Sequence, residues 1–266
     1  MASVGEIRDY LDRTVPFSMK MDFDNVGLLA GFRDAEAQRV LVALDITEAV
    51  IGEAEACGAA LIVSHHPLIF HPLRQVTDEE PVGRKLIRLL RGGRSAICLH
   101  TNLDVAEDGV NDALAEALGL ETEGILEKLG AYPDGRPYGL GRVGRLPAPM
   151  RLEDFLALVR SRLSGNGLRY IASGRPVSRV ACCGGAGGDA LEEAAARGCD
   201  TYVTADLKYD RFLQARDLGI NLIDADHFCT ENVVVPRLCR MLREAFPETE
   251  VLASRVHGQA VQFFCG

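Results

Sequence analysis

The stretch Ala60-Leu61-Ile62-Val63-Ser64-His65-His66-Pro67 limits what this chain can fold into more than any other. A short apolar run bounded by polar residues and a chain-breaker suits a strand buried on both faces. Pro67 has no N–H for a sheet ladder, so the strand ends directly after the histidines. Both imidazoles then stand at a strand's carboxyl end, where open α/β sheets place their ligand crevices. Taken alone, the pair reads most simply as one packed histidine beside one solvated one. Other segments change that balance.

The pattern repeats along the chain. Val4 to Leu11 has helical spacing, and Asp24-Asn25 followed by Gly27 predicts a turn into a short strand. Val40 to Asp45 predicts a second buried strand, with Thr47 capping a helix over Ala49 to Cys57. Val82 to Leu90 predicts another helix. Ser95 to His100 predicts a third parallel strand, leaving Asn102 and Asp104 just past its end. A helix follows over Asp112 to Leu118, closed by Gly119.

Pro133, Gly135, Pro137, Gly139 and Gly141 then crowd together, which marks a domain boundary or an excursion within one domain. Leu152 to Leu163 predicts a helix. Val177 to Cys183 predicts a strand entering the glycine-rich turn Gly184 to Asp189. Such a turn can cradle phosphate, but this spacing matches no nucleotide-binding loop, so tight-turn geometry is the reading adopted. Strands at Thr201 to Asp206 and Asn221 to His227 follow, with Thr230 as N-cap of a helix to about Phe246 and a last strand over Val251 to Ser254. The expectation is an α/β protein with mainly parallel sheets, as one large domain or two.

At 266 residues, 47% hydrophobic and 25% charged, the chain can bury a sizeable core. A net charge of −9 argues against nucleic acid as a partner. No apolar run approaches the length that spans a bilayer and no signal peptide follows Met1, so the expected location is cytoplasmic. The eight cysteines are scattered and read as reduced thiols in that compartment.

His65, His66, His100 and His227 all fall at or just after predicted strand ends, and Asp104 and Glu231 share that placement. If a helical turn begins at His227, it stands four residues from Glu231 on one face. His65, His66, His227, Asp104 and Glu231 make a mixed nitrogen–oxygen set suited to zinc, manganese, iron, cobalt or nickel. Five protein ligands exceed what one catalytic metal usually takes, whereas two metals bridged by a carboxylate use them naturally.

Asp24-Asn25-Val26-Gly27-Leu28, Leu44-Asp45-Ile46-Thr47, Ser64-His65-His66-Pro67-Leu68-Ile69-Phe70, His100-Thr101-Asn102-Leu103-Asp104 and Asp226-His227-Phe228-Cys229-Thr230-Glu231 occur in this order. Together they resemble the NGG-interacting-factor-three-like family, whose bacterial members go by the name GTP cyclohydrolase I type 2 homologue. The resemblance implies two α/β domains, residues 1–125 with 230–266 as a discontinuous first domain and 126–229 as the second, with a dinuclear metal site in the cleft between them. It implies His66 and Asp104 on one ion, His65 and His227 on the other, and Glu231 bridging. His100, Asn102 and Thr230 would stand behind these ligands. It also implies a toroidal homohexamer. The chain departs from the family at Phe23, where tryptophan is common, and at Asp226, where glycine is common. It also departs at Thr204 to Asp210, where Asp210 replaces a histidine.

Two functions follow as expectations. One is a metal-dependent hydrolase of the cyclohydrolase type, acting on a purine nucleotide or a related small substrate. The other is a non-catalytic metal-binding, metal-delivery or scaffold protein. No catalytic residue beyond the ligand set is assigned.

Overall fold

The structure is a computed structural model that describes residues 2–264. Along the chain its first strands are β1 (Gly27–Ala30), β2 (Arg39–Ala43), β3 (Leu61–Ser64), β4 (Ser95–Cys98), β5 (Glu121–Ala131) and β6 (Pro137–Met150). Then come β7 (Arg169–Ile171), β8 (Val177–Cys182), β9 (Thr201–Thr204), β10 (Asn221–Asp224) and β11 (Glu250–Ala253). The helices are α1 (Val4–Thr14), α2 (Glu48–Cys57), α3 (Pro81–Arg91), α4 (Thr101–Val105) and α5 (Val110–Ala117). They continue with α6 (Leu152–Arg162), α7 (Leu191–Ala196), α8 (Tyr209–Leu218), α9 (His227–Glu231) and α10 (Val235–Ala245).

The chain divides into two compact units. The first takes the residues up to Leu103 with Val235–Gly258, and the second takes Asp104–Val234 with the segment from Gln259. In the first unit the sheet order is β1-β4-β3-β2-β11, parallel throughout except for the edge strand β1. Leu41, Ile62 and Ala96 from its central strands pack with Val50, Ile51 and Ala54 of α2 and with Leu86 and Leu89 of α3. Four consecutive buried residues in β3 are what the apolar run before His65 requires of a strand covered on both faces. Thr47 caps α2 by accepting from Val50 N at 3.2 Å.

The second unit carries a six-stranded sheet, order β5-β6-β8-β9-β10-β7. Successive strand residues serve opposite layers. Cys182, Val203 and Ile223 pack with Phe155 and Val159 of α6, while Ala181, Tyr202 and Leu222 pack with Leu191 of α7 and Ala215 of α8. This sheet is mixed rather than mainly parallel, because β5–β6, β6–β8 and β10–β7 pair antiparallel. The glycine- and proline-rich stretch explains the difference. It forms the tip of a long hairpin, closed by Tyr132 N to Arg136 O at 2.8 Å with Gly135 at φ +84°.

The two units divide at 103/104, 234/235 and 258/259, compared with 125/126 and 229/230 from the sequence. Helix α5 sits on β6 and β8, with Leu114 and Leu118 in the core of the second sheet, whereas α10 packs on β2 and β11. Helix α8 and strand β7 had no sequence signal strong enough to place them.

Thr230 is not an N-cap. The predicted long helix begins earlier, at His227, where the Asp226 carboxylate caps it by accepting from Cys229 N at 3.1 Å. It then breaks into α9, a single 3₁₀ turn over Asn232–Val234, and α10. Pro236 lacks the N–H that a continuous helix would bond to Asn232. None of the described helices is long and apolar enough to cross a membrane. Among the described residues seven cysteines are free, Cys182 and Cys183 included, and burial pushes the Cys182 thiol up to about 12.

Candidate metal centre

In the first unit, Ser64 lies opposite both Ala43 and Cys98 in the sheet register, so three parallel strands end at one level. The chains leaving that edge carry Asp45, His65, His66 and His100. The ladder runs one step further, through His66 N to Leu44 O at 2.8 Å and Leu99 N to Ser64 O at 2.9 Å. Ser64 Oγ then donates to His66 O at 2.8 Å and closes the turn that lets both imidazoles share one side.

Each of the three rings has its Nδ1 on an oxygen. His65, fully buried, donates to the Leu99 carbonyl at 2.8 Å, and that acceptor requires the proton on Nδ1. His66 Nδ1 bonds Asp45 Oδ1 at 2.7 Å, and His100 Nδ1 bonds Asp24 Oδ1 at 2.8 Å. Burial pushes the Asp24 carboxyl up, but hydrogen bonds from His100 and Thr101 outweigh it and hold the group well below the usual carboxylate range. Asp45 is held down in the same way, by His257 and His66. The Leu99 carbonyl and two ionised carboxylates accept the Nδ1 protons, so the Nε2 lone pairs of all three rings point to the other side. The ring centroids lie 5.0–5.6 Å apart, and one nitrogen from each ring lies within 4.8 Å of the others.

In the second unit, the helical turn α9 sets His227 and Glu231 four residues apart, with Nε2 to Oε2 at 3.1 Å. His227 Nδ1 bonds Asp206 Oδ2 at 2.7 Å. Burial pushes the His227 imidazolium down, but Glu231 and then Asp206 outweigh burial and raise it to about 9. The position therefore attracts positive charge, either a proton or a cation. Asp226 holds φ +72°, a region that favours glycine, and its capping bond keeps it there.

The glycine-rich turn packs directly on this pair. A Cβ at Gly185, which has φ +62°, would lie 2.2 Å from Glu231 Oε1 and 3.3 Å from His227 Cε1. Three amides of the turn are committed within the unit, which fits tight-turn geometry rather than a phosphate cradle. Gly184 N donates to Asn111 Oδ1, Gly185 N to Thr230 Oγ1 and Gly187 N to Thr204 Oγ1, at 2.9–3.0 Å. Asn111 Nδ2 also donates to the backbone carbonyl of Asp104 at 2.9 Å, so the turn and the start of the unit are tied together.

Of the predicted residues, His65, His66 and His100 come together in the first unit, and His227 and Glu231 in the second. Asp104 is buried in α4, Thr230 braces Gly185, and Asn102 Nδ2 anchors the Val15 carbonyl at 3.0 Å. Four orienting residues escaped the sequence reading. Asp24 read as a turn former and Asp45 as a strand end. Asp206 lies at the end of β9, and His257 donates to Asp45 Oδ2 at 2.9 Å from the C-terminal segment. For Asp45 and Asp206 a carboxylate just beyond a strand end was the available signal.

Two sheets, pinned imidazoles and a His–Glu helical turn define an α/β protein whose histidine and carboxylate groups could hold a metal ion. The chain belongs to the Duf34/NIF3 (NGG1p interacting factor 3) family, which matches residues 2–259. It is 33% identical over 242 residues to a GTP cyclohydrolase 1 type 2 homolog of Clostridium perfringens, covering 91% of each chain. Among solved structures it is similar to a Staphylococcus aureus hypothetical protein, at 32% identity and a TM-score of 0.91, covering 98% of this chain and 99% of that one. A Bacillus cereus protein related to NIF3 matches with TM-score 0.91 at 26% identity, covering 99% of each chain.

Proposed function

We propose that the chain is a dinuclear metal protein and a metal-dependent hydrolase of the cyclohydrolase kind. His66 and Asp104 would hold one divalent transition-metal ion, His65 and His227 the other, and Glu231 would serve both. The observation that carries this reading is the proton arrangement of the imidazoles. With Nδ1 of His65, His66 and His227 each on an oxygen at 2.7–2.8 Å, each proposed imidazole ligand carries its proton where Nε2 is left to face a metal. The fit is equally good at Gly185, where hydrogen in place of a methyl leaves Glu231 Oε1 its position.

When bound, divalent ions of this type lower the pKa of water towards neutrality and polarise an electrophilic carbon or phosphorus. The chain's own residues supply orientation. Asp45 and Asp24 hold the Nδ1 protons of His66 and His100, and Asp206 does so for His227. His100 orients rather than ligates in this scheme. Thr230 holds the Gly185 amide, and through it the turn that fixes the Glu231 carboxylate. A homohexamer, as the family resemblance implies, belongs to the same proposal.

The test is turnover by protein loaded in turn with zinc, manganese, iron, cobalt or nickel. Hydrolysis of GTP or a related nucleotide that disappears in Glu231→Gln supports the enzyme. Full loading without turnover of any nucleotide or phosphoester would remove the hydrolase and leave a metal-binding or scaffold protein.

A further inference from the structure

The first unit carries an unbroken run of rings from the buried His65, through the half-buried His66 and His100, to solvent. His65 and His66 lie 5.3 Å and 5.6 Å from His100, His100 lies 6.0 Å from Phe70, and Phe70 lies 6.3 Å from Phe23. The outer two are exposed, Phe70 at 38% and Phe23 at 64%. Their loops are not loose. One residue after Phe23, the Asp24 carboxylate accepts from His100 Nδ1 and from Thr101 N and Oγ1. Asn25 Nδ2 donates at 2.7 Å to the carbonyl of Ile69, one residue before Phe70. Lys20 Nζ holds the Asp24 carbonyl at 2.6 Å. The two loops are thus tied to each other and to a histidine of the cluster, within one residue of each ring.

We propose that Phe23 and Phe70 form a stacking subsite for the flat heteroaromatic ring of a substrate whose reacting atoms lie at the histidines. The proposal rests on the metal-centre reading above and adds the part of the ligand that no metal would recognise. Phe70 meets His100, Phe23 and His71 edge to face, at 83°, 66° and 68°, and the Phe23 ring is largely open to solvent. An aromatic face held that way takes an offset planar π system at little entropic cost. Stacking is indifferent to which base is offered, so the subsite selects flatness, and the donors at the histidines select the reacting group. A subunit contact would call for a broad apolar patch. Here Asp22, His71, Arg74 and Gln75 interrupt the exposed apolar residues, Leu73 and Val76 among them, and the assembly mass in the experiment below separates a ligand from a subunit contact.

The experiment is titration of 2-aminopurine riboside, whose fluorescence is quenched on stacking, into metal-loaded and metal-stripped full-length protein. Wild type is compared with Phe23→Leu and Phe70→Leu, which keep apolar volume but lose the ring, and with Phe23→Trp, which keeps one. Saturable quenching that weakens about tenfold in each leucine variant and survives in Phe23→Trp supports the subsite. Guanosine should compete and ribose 5-phosphate should not. Absent quenching, equal affinity in the leucine variants, or a leucine variant that changes the assembly mass would overturn it. Metal content measured on the same samples reports the metal centre separately. Loss of metal with quenching intact fails that reading alone, and loss of quenching with metal intact fails this one.

Discussion

Gly185→Ala separates backbone strain from damage to the proposed metal centre. The residue sits at φ +62°, where a side chain costs about 1–2 kcal/mol. Gly219 has nearly the same geometry, φ +66°, with nothing within 4 Å of a Cβ. Both alanine variants should therefore lose about 1–2 kcal/mol in urea unfolding, with unchanged m-values. Only Gly185→Ala places a methyl 2.2 Å from Glu231 Oε1, against the 3.4 Å where ordinary contact begins. The carboxylate must retreat by more than an ångström, and misplacement on that scale costs about a hundredfold at a site built on exact geometry. Metal content after dialysis, with isothermal titration of the stripped protein, is the assay. Gly185→Ala should bind metal about a hundredfold more weakly than Gly219→Ala at similar stability. Equal metal affinity in the two variants would refute the claim that the glycine turn exists to seat Glu231.

Three further outcomes are expected. His257→Ala removes the donor to Asp45 Oδ2 that steadies the partner of His66, and should weaken metal binding about 10–100-fold, with His257→Gln restoring part of it; calorimetry checks this. Arg142 is buried and bidentate on Asp112, and also donates to the carbonyls of Ala106, Gly139 and Gly141. Asp112→Ala strands that guanidinium and should cost about 3 kcal/mol in chemical unfolding, while Arg145→Ala, on an exposed pair with Glu123, should cost under about 1 kcal/mol. Burial raises the Cys182 and Cys229 thiols to about 12, so at pH 8 iodoacetamide should spare both in native protein and alkylate them on unfolding, as mass mapping would show.

Much of this was legible along the chain because strand burial leaves a strong local imprint. Four apolar residues before His65 and the proline after His66 gave strand β3 and its end. The family resemblance could be read from motifs at the same strand ends. The proline- and glycine-rich stretch was ambiguous for a physical reason, since a hairpin tip and a linker ask for the same residues. The mixed second sheet followed from that ambiguity, and so did the placement of α5. Asp24, Asp45 and Asp206 were invisible as orienting groups because their partners stand 21 to 76 positions away in sequence. His257 lies still further from its partner, at 212 positions. Thr230 was misassigned because any threonine before an acidic residue resembles a cap, while the actual cap, Asp226, holds a backbone angle that sequence does not announce.

The central claim is that the chain holds two divalent ions on His65, His66, Asp104, His227 and Glu231. Metal analysis of protein purified without an affinity tag tests it most directly, for wild type and for His66→Ala combined with Glu231→Gln. The account predicts about two ions per chain in the wild type and their loss in the double variant. A wild type that stays empty after exposure to zinc, manganese, iron, cobalt and nickel, or a variant that keeps both ions, would contradict it.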